Sequence, residues 1–314
     1  MAGSLTDLPD AMLGVVPALA EHHPPEETRA DCANCPISAR EDTKPTALRP
    51  FTMPVRCCTY QPSLPNFLVG RSLSRGEQGS HLIRNHLSQN EGVHPLGILP
   101  TEDWTRQYER TRATDFGKDP SKACPYWTPG DLGCGIWNDR PAVCRTWHCR
   151  HTSGARAQKY WAALGDLLLA IEYQLASWCV EQQAPPTPFH KHAEQWYRDC
   201  WSNLSTIPAD SWSQSAAVFE ALVAFQNARD ALERPMPEQL IPVVSELVQG
   251  GTKVAIGGYS SLDLHWWPST VLSFLSSFDG QKTVDACIAD ARNAWSREDV
   301  QRLWNAGILA GEDD

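Results

Sequence analysis

GARAQKYWAALGDLLLAIEYQLASWCVEQQ, residues 154–183, sets the fold class. Trp161, Leu164, Leu168, Ile171, Leu175 and Trp178 recur at alternating spacings of three and four, which makes one apolar face of an α-helix. Asp166 and Glu172 interrupt its most apolar part, LGDLLLAIEYQLASW, so the stretch reads as a core helix and not as a membrane span. PPTP (185–188) breaks it, and helical patterns follow around His192–Trp201, Ser211–Leu232 and Pro237–Val248. QGG (249–251) closes this helical middle.

Beyond QGG the period changes. KVAIGGYSSLDLHW predicts one or two short strands around a Gly-Gly turn, and PSTVLSFLSSF resumes helical spacing through Val271, Phe274, Leu275 and Phe278. Thr283 is placed to cap the helix VDACIADARNAW, and Ser296 with Asp299 repeats the device ahead of DVQRLWNAG. Gly307 stops that helix before ILA. Strand, three helices and strand suggest a small winged-helix module.

On the other side, residues 1–153 are rich in Pro, Gly, His and Cys with few long periodic segments, and read as irregular structure tied together from within. The predicted fold is mainly α: an irregular, cysteine-rich, metal-bound N-terminal half (1–153), a helical middle (154–250) and a small winged-helix-like α+β C-terminal module (251–314). At 314 residues, 42% hydrophobic and 20% charged, the chain can bury a sizeable core without disulfides. The opening MAGSLTDLPDAMLGVVPALA carries Asp7, Asp10 and Pro17 where a secretion signal needs a basic start and a clean apolar run, so a cytoplasmic protein is expected. The formal net charge of -10 disfavours generic attraction to nucleic acid or to an anionic membrane.

The eleven cysteines form two populations. Cys179, Cys200 and Cys287 sit singly on apolar or mixed helix faces and read as small packing residues. The other eight precede residue 150: Cys32, Cys35, Cys57, Cys58, Cys124, Cys134, Cys144 and Cys149. A reducing compartment disfavours disulfides among them, and adjacent cysteines such as Cys57 and Cys58 pair with each other only in a strained ring. A Cys-x2-Cys turn converges two thiolates on one metal, in zinc and in iron–sulfur sites alike. If residues 57–58 are extended, their side chains point to opposite sides and either serve two centres or brace one.

Arg140, Arg145, Arg150, Arg156 and Lys159 accompany the last two of these cysteines without one acidic residue from 140 to 159, and anionic thiolate sites benefit from such neighbours. Trp127, Trp137 and Trp147 offer an apolar wall, His148 and His151 support the ligands or lie at the surface, and Asp131 and Asp139 read as solvated loop carboxylates.

CANC (32–35), CC (57–58), CP (124–125), GCGI (133–136) and RPAVCRTWHC (140–149) together resemble the YkgJ-type zinc- or iron-chelating cysteine-cluster family, to which flagellin lysine N-methylases belong. The resemblance covers the first half, and all eight family cysteines have counterparts. One departure is that twenty-one residues separate Cys35 from Cys57, where the family runs its first four cysteines together. Loop closure tolerates such an insertion, since its cost grows slowly with length. The resemblance implies a metal centre: one or two iron–sulfur clusters, of 4Fe-4S type, or zinc. The tail from Val271 also looks like the PqqD-like winged helices that bind peptide or protein partners. Its four basic and eight acidic residues from Asp279 to Asp314 argue against a DNA-binding role.

Two functions follow: an iron–sulfur redox or peptide- or protein-modifying biosynthetic enzyme, or a structural zinc-binding interaction protein. An electron carrier or metal-delivery role is less economical for so much helical mass. No radical S-adenosylmethionine cysteine run, phosphate-binding G-x4-G-K-[ST], G-x-G-x-x-G after a strand, or H-E-x-x-H is present. No catalytic residue is assigned.

Overall fold

The computed structural model describes residues 5–31, 34–39, 44–52, 55–76, 78–128, 133–292 and 294–312. The chain opens with α1 (Asp10–Val15), β1 (Leu64–Pro65), α2 (Asn66–Arg75), α3 (Gln78–Gln89), β2 (Val93–His94), β3 (Gly97–Ile98) and α4 (Glu102–Asp115). It continues through α5 (Ala142–Thr146), α6 (Gly154–Gln182), α7 (Ala193–Ser205) and α8 (Ala216–Leu232). It ends with β4 (Ile241–Pro242), β5 (Glu246–Gly250), β6 (Lys253–Gly257), β7 (Leu264–Pro268), α9 (Val271–Leu275), α10 (Val284–Asp290), α11 (Arg297–Asn305) and β8 (Leu309–Ala310). The protein is mainly α with small antiparallel sheets.

Helix α6 is the axis of the larger core. Trp161, Leu164, Leu168, Ile171 and Leu175 are fully buried, and each contributes roughly 1.5–3 kcal/mol of transfer free energy. By length and composition α6 is also able to cross a bilayer, yet here α5 and α8 pack along it. The first half is more regular than its sequence suggests: α2, α3 and α4 lie within residues 66–115, and α2 is buried from Asn66 to Leu73. A Cβ at Gly70 would lie 1.9 Å from the Tyr197 carbonyl oxygen, so glycine there lets α2 meet α7 backbone to backbone. Asn66 is affordable inside because its Nδ2 donates to the carbonyls of Pro95 (3.0 Å) and Ala176 (2.9 Å).

Residues 237–248 correct the sequence reading, since they are extended and not helical. Pro242 cannot continue a helix, and β4 instead pairs with β8 at the far end of the chain, Ile241 opposite Ala310. Strand β5 forms a hairpin with β6, so the glycines at 250–251 turn a hairpin and do not end a helical region. One hydrophobic core draws on residues from Leu5 to Phe225, and the other on Leu240 to Leu309. Within the second, Thr283 caps α10, Ser296 and Asp299 form a capping box on α11, and Gly307 (φ +67) reverses the chain into β8. Cys179, Cys200 and Cys287 are buried packing residues.

Glu172 is an ionisable group inside the larger core, 2% exposed, accepting a hydrogen bond from Ala142 N at 2.7 Å. Burial pushes its carboxyl up to about 8 against the pull of that N–H and of the Arg145 charge. The folded state therefore keeps a proton that the unfolded chain gives up near pH 4.5, and stability falls as pH rises from there to about 8. Glu172→Gln is expected to remove on the order of 4 kcal/mol of this pH-dependent loss. The check is the difference in melting temperature between pH 5 and pH 8 in the two proteins; an unchanged difference refutes the assignment.

Candidate metal centre

Short turns bring the cysteines together. Cys58 N donates to Val55 O (2.9 Å), and the Cys58 carbonyl accepts from Cys124 N (2.8 Å), which joins the Cys-Cys and Cys-Pro segments. Gly135 N bonds back to Tyr126 O (2.9 Å), and this return sets Cys134 beside Cys124. Cys144 lies on α5, whose first turn closes when its N–H reaches Pro141 O (2.9 Å). The Arg145 guanidinium holds the preceding loop through the carbonyls of Arg140 and Asn138, both at 2.6 Å.

The thiols fall into two adjoining groups. Cys58, Cys124, Cys134 and Cys144 lie within one another's electrostatic reach. Burial pushes the Cys124 thiol up to about 12 and Cys144 well above the ordinary thiol range, with charge on the neighbouring thiols adding to both. Cys35, Cys57 and Cys149 instead line a small cavity of about 50 Å³, together with Arg56, Arg140 and Trp137. The groups meet at Cys57 and Cys58. Residues 55–57 form a turn with Arg56 at φ +53, so the pair is not extended, and the thiols share a hydrogen bond that draws Cys58 below its ordinary value; Arg56 and Arg140 add to this against burial.

The donor set fits a metal. Left alone, thiols raised this far stay protonated, whereas a bound cation deprotonates them and removes their mutual repulsion. No disulfide joins the ten described cysteines. Among the described residues, no three His, Cys, Asp or Glu side chains already converge as ligands of a single ion. Cys32 and Asp131 lie outside the described residues.

The surroundings depart from the sequence reading in several places. Trp147 is 47% exposed, so it shields little. Trp137 carries the Arg140 guanidinium 3.5 Å above its ring, which holds that charge over the thiols. Asp139 is not a solvated carboxylate: it is 3% exposed and ion-paired with Arg71 (3.4 Å) and Arg75 (3.8 Å). Burial brings His148 down to about 3 and His151 to about 4, so both imidazoles are neutral at physiological pH.

The sequence reading also missed what anchors this region to the C-terminal module. Arg29 makes a two-pronged ion pair with the fully buried Asp263 (2.9 and 2.5 Å), and Tyr259 OH donates to the same carboxylate (2.5 Å). Tyr259 OH also accepts from His151 N (2.9 Å), and Arg150 Nε donates to Leu262 O (3.1 Å). Glu27 braces the near side of this contact, accepting from Trp161 Nε1 (2.7 Å) and Thr152 N (2.5 Å). Arg29 and Asp263 are 234 positions apart in the sequence, so no local pattern announces the pair.

No protein-family model, no characterised protein and no solved structure matches the chain. The resemblance to the cysteine-cluster family rests on the residues quoted for it.

Proposed function

We propose that the chain is an iron–sulfur protein of the YkgJ-like cysteine-cluster type, acting in the cytoplasm as a redox or peptide- or protein-modifying biosynthetic enzyme. The observation that carries this reading is the group of Cys58, Cys124, Cys134 and Cys144, drawn from four separate sequence stretches to one place beside Arg140. A 4Fe-4S cluster bound there would exchange single electrons. The protein's own residues would supply four thiolates and the Arg140 charge that favours ionised Cys58 and Cys144. In this reading Cys32 is a further ligand, as the Cys-x2-Cys turn implies.

The C-terminal module is proposed as a winged-helix-like platform for a peptide or protein partner, with no role for nucleic acid. Strand β6 is paired on both sides, so a peptide adding to this sheet would join an outer strand, β5 or β7.

A second reading, structural zinc without catalysis, is favoured by one observation: Cys124 and Cys134 pack against the main core, where a closed four-thiolate site would brace the fold. Anaerobic purification after iron-replete expression separates the two. A brown protein with broad thiolate-to-iron absorption and labile sulfide is expected. A colourless protein holding stoichiometric zinc overturns the iron–sulfur reading.

A further inference from the structure

The cavity bounded by Cys35, Cys57 and Cys149 shares a wall with a larger cleft. Trp147, His148 and Cys149 line both spaces, and the cleft beyond them measures about 320 Å³, within the range of small-molecule sites. None of Cys58, Cys124, Cys134 and Cys144 lines either space. A third hollow of about 190 Å³ reaches Cys134, but polar walls including Arg75, Gln78 and the ion-paired Asp139 surround it there.

The cleft is built for an aromatic guest. Rings of Trp147, His148, His151, Trp161 and Tyr259 line it, with Leu169 at its α6 side. Its lining contains no Lys or Arg and one carboxylate, Asp166, on the exposed face of α6. His148 presents part of its ring to the cleft, while its Nε2 is closed off from it and from bulk solvent. Tyr259, Ser260 and Leu262 belong to the C-terminal module, so the cleft is incomplete without it.

We propose that the two thiol groups are separate metal centres, and that the one formed by Cys35, Cys57 and Cys149 is the working centre, facing a cleft that takes an uncharged aromatic molecule. This rests on the metal-binding reading above. Aromatic side chains along the cleft pack against the ring, and the shared wall sets it beside the second centre. The first group then has a supporting part, next to the second through the adjoining thiols of Cys57 and Cys58.

Neighbouring residues make the test sharp. Anaerobically purified Cys57→Ser and Cys149→Ser proteins should lose about half of their metal, while Cys58→Ser and Cys124→Ser lose the complementary half with a different residual spectrum. The probe for the cleft is 4-phenylimidazole, followed both by tryptophan fluorescence and by the electron paramagnetic resonance or absorption of the metal. It should perturb the signal that Cys57→Ser removes and leave the remaining one alone. Ala162→Trp, on the exposed side of α6, should weaken its binding about tenfold with metal content unchanged. The proposal falls if all four cysteine variants lose metal in the same proportion with the same residual spectrum, if the probe still shifts the signal left in Cys57→Ser, or if Ala162→Trp binds it equally well. An unmodified protein without metal instead refutes the metal-binding reading, and the fluorescence titration still reports on the cleft.

Discussion

Asp263→Ala is expected to cost about 3–5 kcal/mol, the usual result of removing one partner from a buried ion pair. Asp263 is fully buried, and its loss leaves the Arg29 guanidinium without its carboxylate and Tyr259 without an acceptor. Arg150, whose Nε lies 3.9 Å from the same carboxylate, loses a counter-charge as well. For a chain of this size the loss corresponds to a melting temperature lower by roughly 10 °C. Burial alone would raise the Asp263 carboxyl, but hydrogen bonds from His265 and Tyr259 and the Arg29 charge outweigh it and hold the group at about 2. Its contribution is therefore present above the unfolded value near pH 4 and is lost as pH falls through about 2. Thermal melts of wild type and variant at pH 7 give the size of the effect; a difference below 1 kcal/mol would mean that the two cores dock through other contacts.

Cys144→Ser is the second large effect. The residue sits in the four-thiol group, and a lost ligand removes much of a metal-binding free energy of about 10 kcal/mol that is coupled to folding. Metal content should fall sharply and the melting temperature with it. Cys287→Ser, in the second core and far from the clustered thiols in sequence, should keep its metal and show only a modest packing loss. Metal analysis and a melt on each protein decide the matter, and equal metal loss in the two variants would erase the distinction between clustered and packing cysteines.

Much of this was legible in the residues because it depends on neighbours within one or two turns. The three-and-four spacing from Trp161 to Leu175 predicts α6, the capping residues Thr283 and Ser296 predict the starts of α10 and α11, and Gly307 predicts the last turn. Each is a contest between backbone hydrogen bonds and side chains a few positions away, so the chain carries the answer locally. The two cysteine populations separate for the same reason, since lone thiols on apolar helix faces differ in their immediate company from clustered thiols among prolines and arginines.

The remainder was decided by chain segments that meet only on folding. Helix α2 is buried because α7 packs along it at the closeness Gly70 permits, a contact that the residues of α2 alone do not announce. Residues 241–243 are extended because residues 308–310 return to pair with them, and residues 246–248 because β6 folds back along them. Asp139 carries the sequence of a loop acid and the burial of a core residue, because Arg71 and Arg75 arrive from α2 to neutralise it. By type and spacing the eight clustered cysteines read as candidate metal ligands, and the structure describes seven of them. Their division into one group around Cys144 and another around Cys149 came only with the tertiary structure, since a thiol's electrostatic neighbours and the cavity it lines depend on distance in space, and sequence separation does not report that distance.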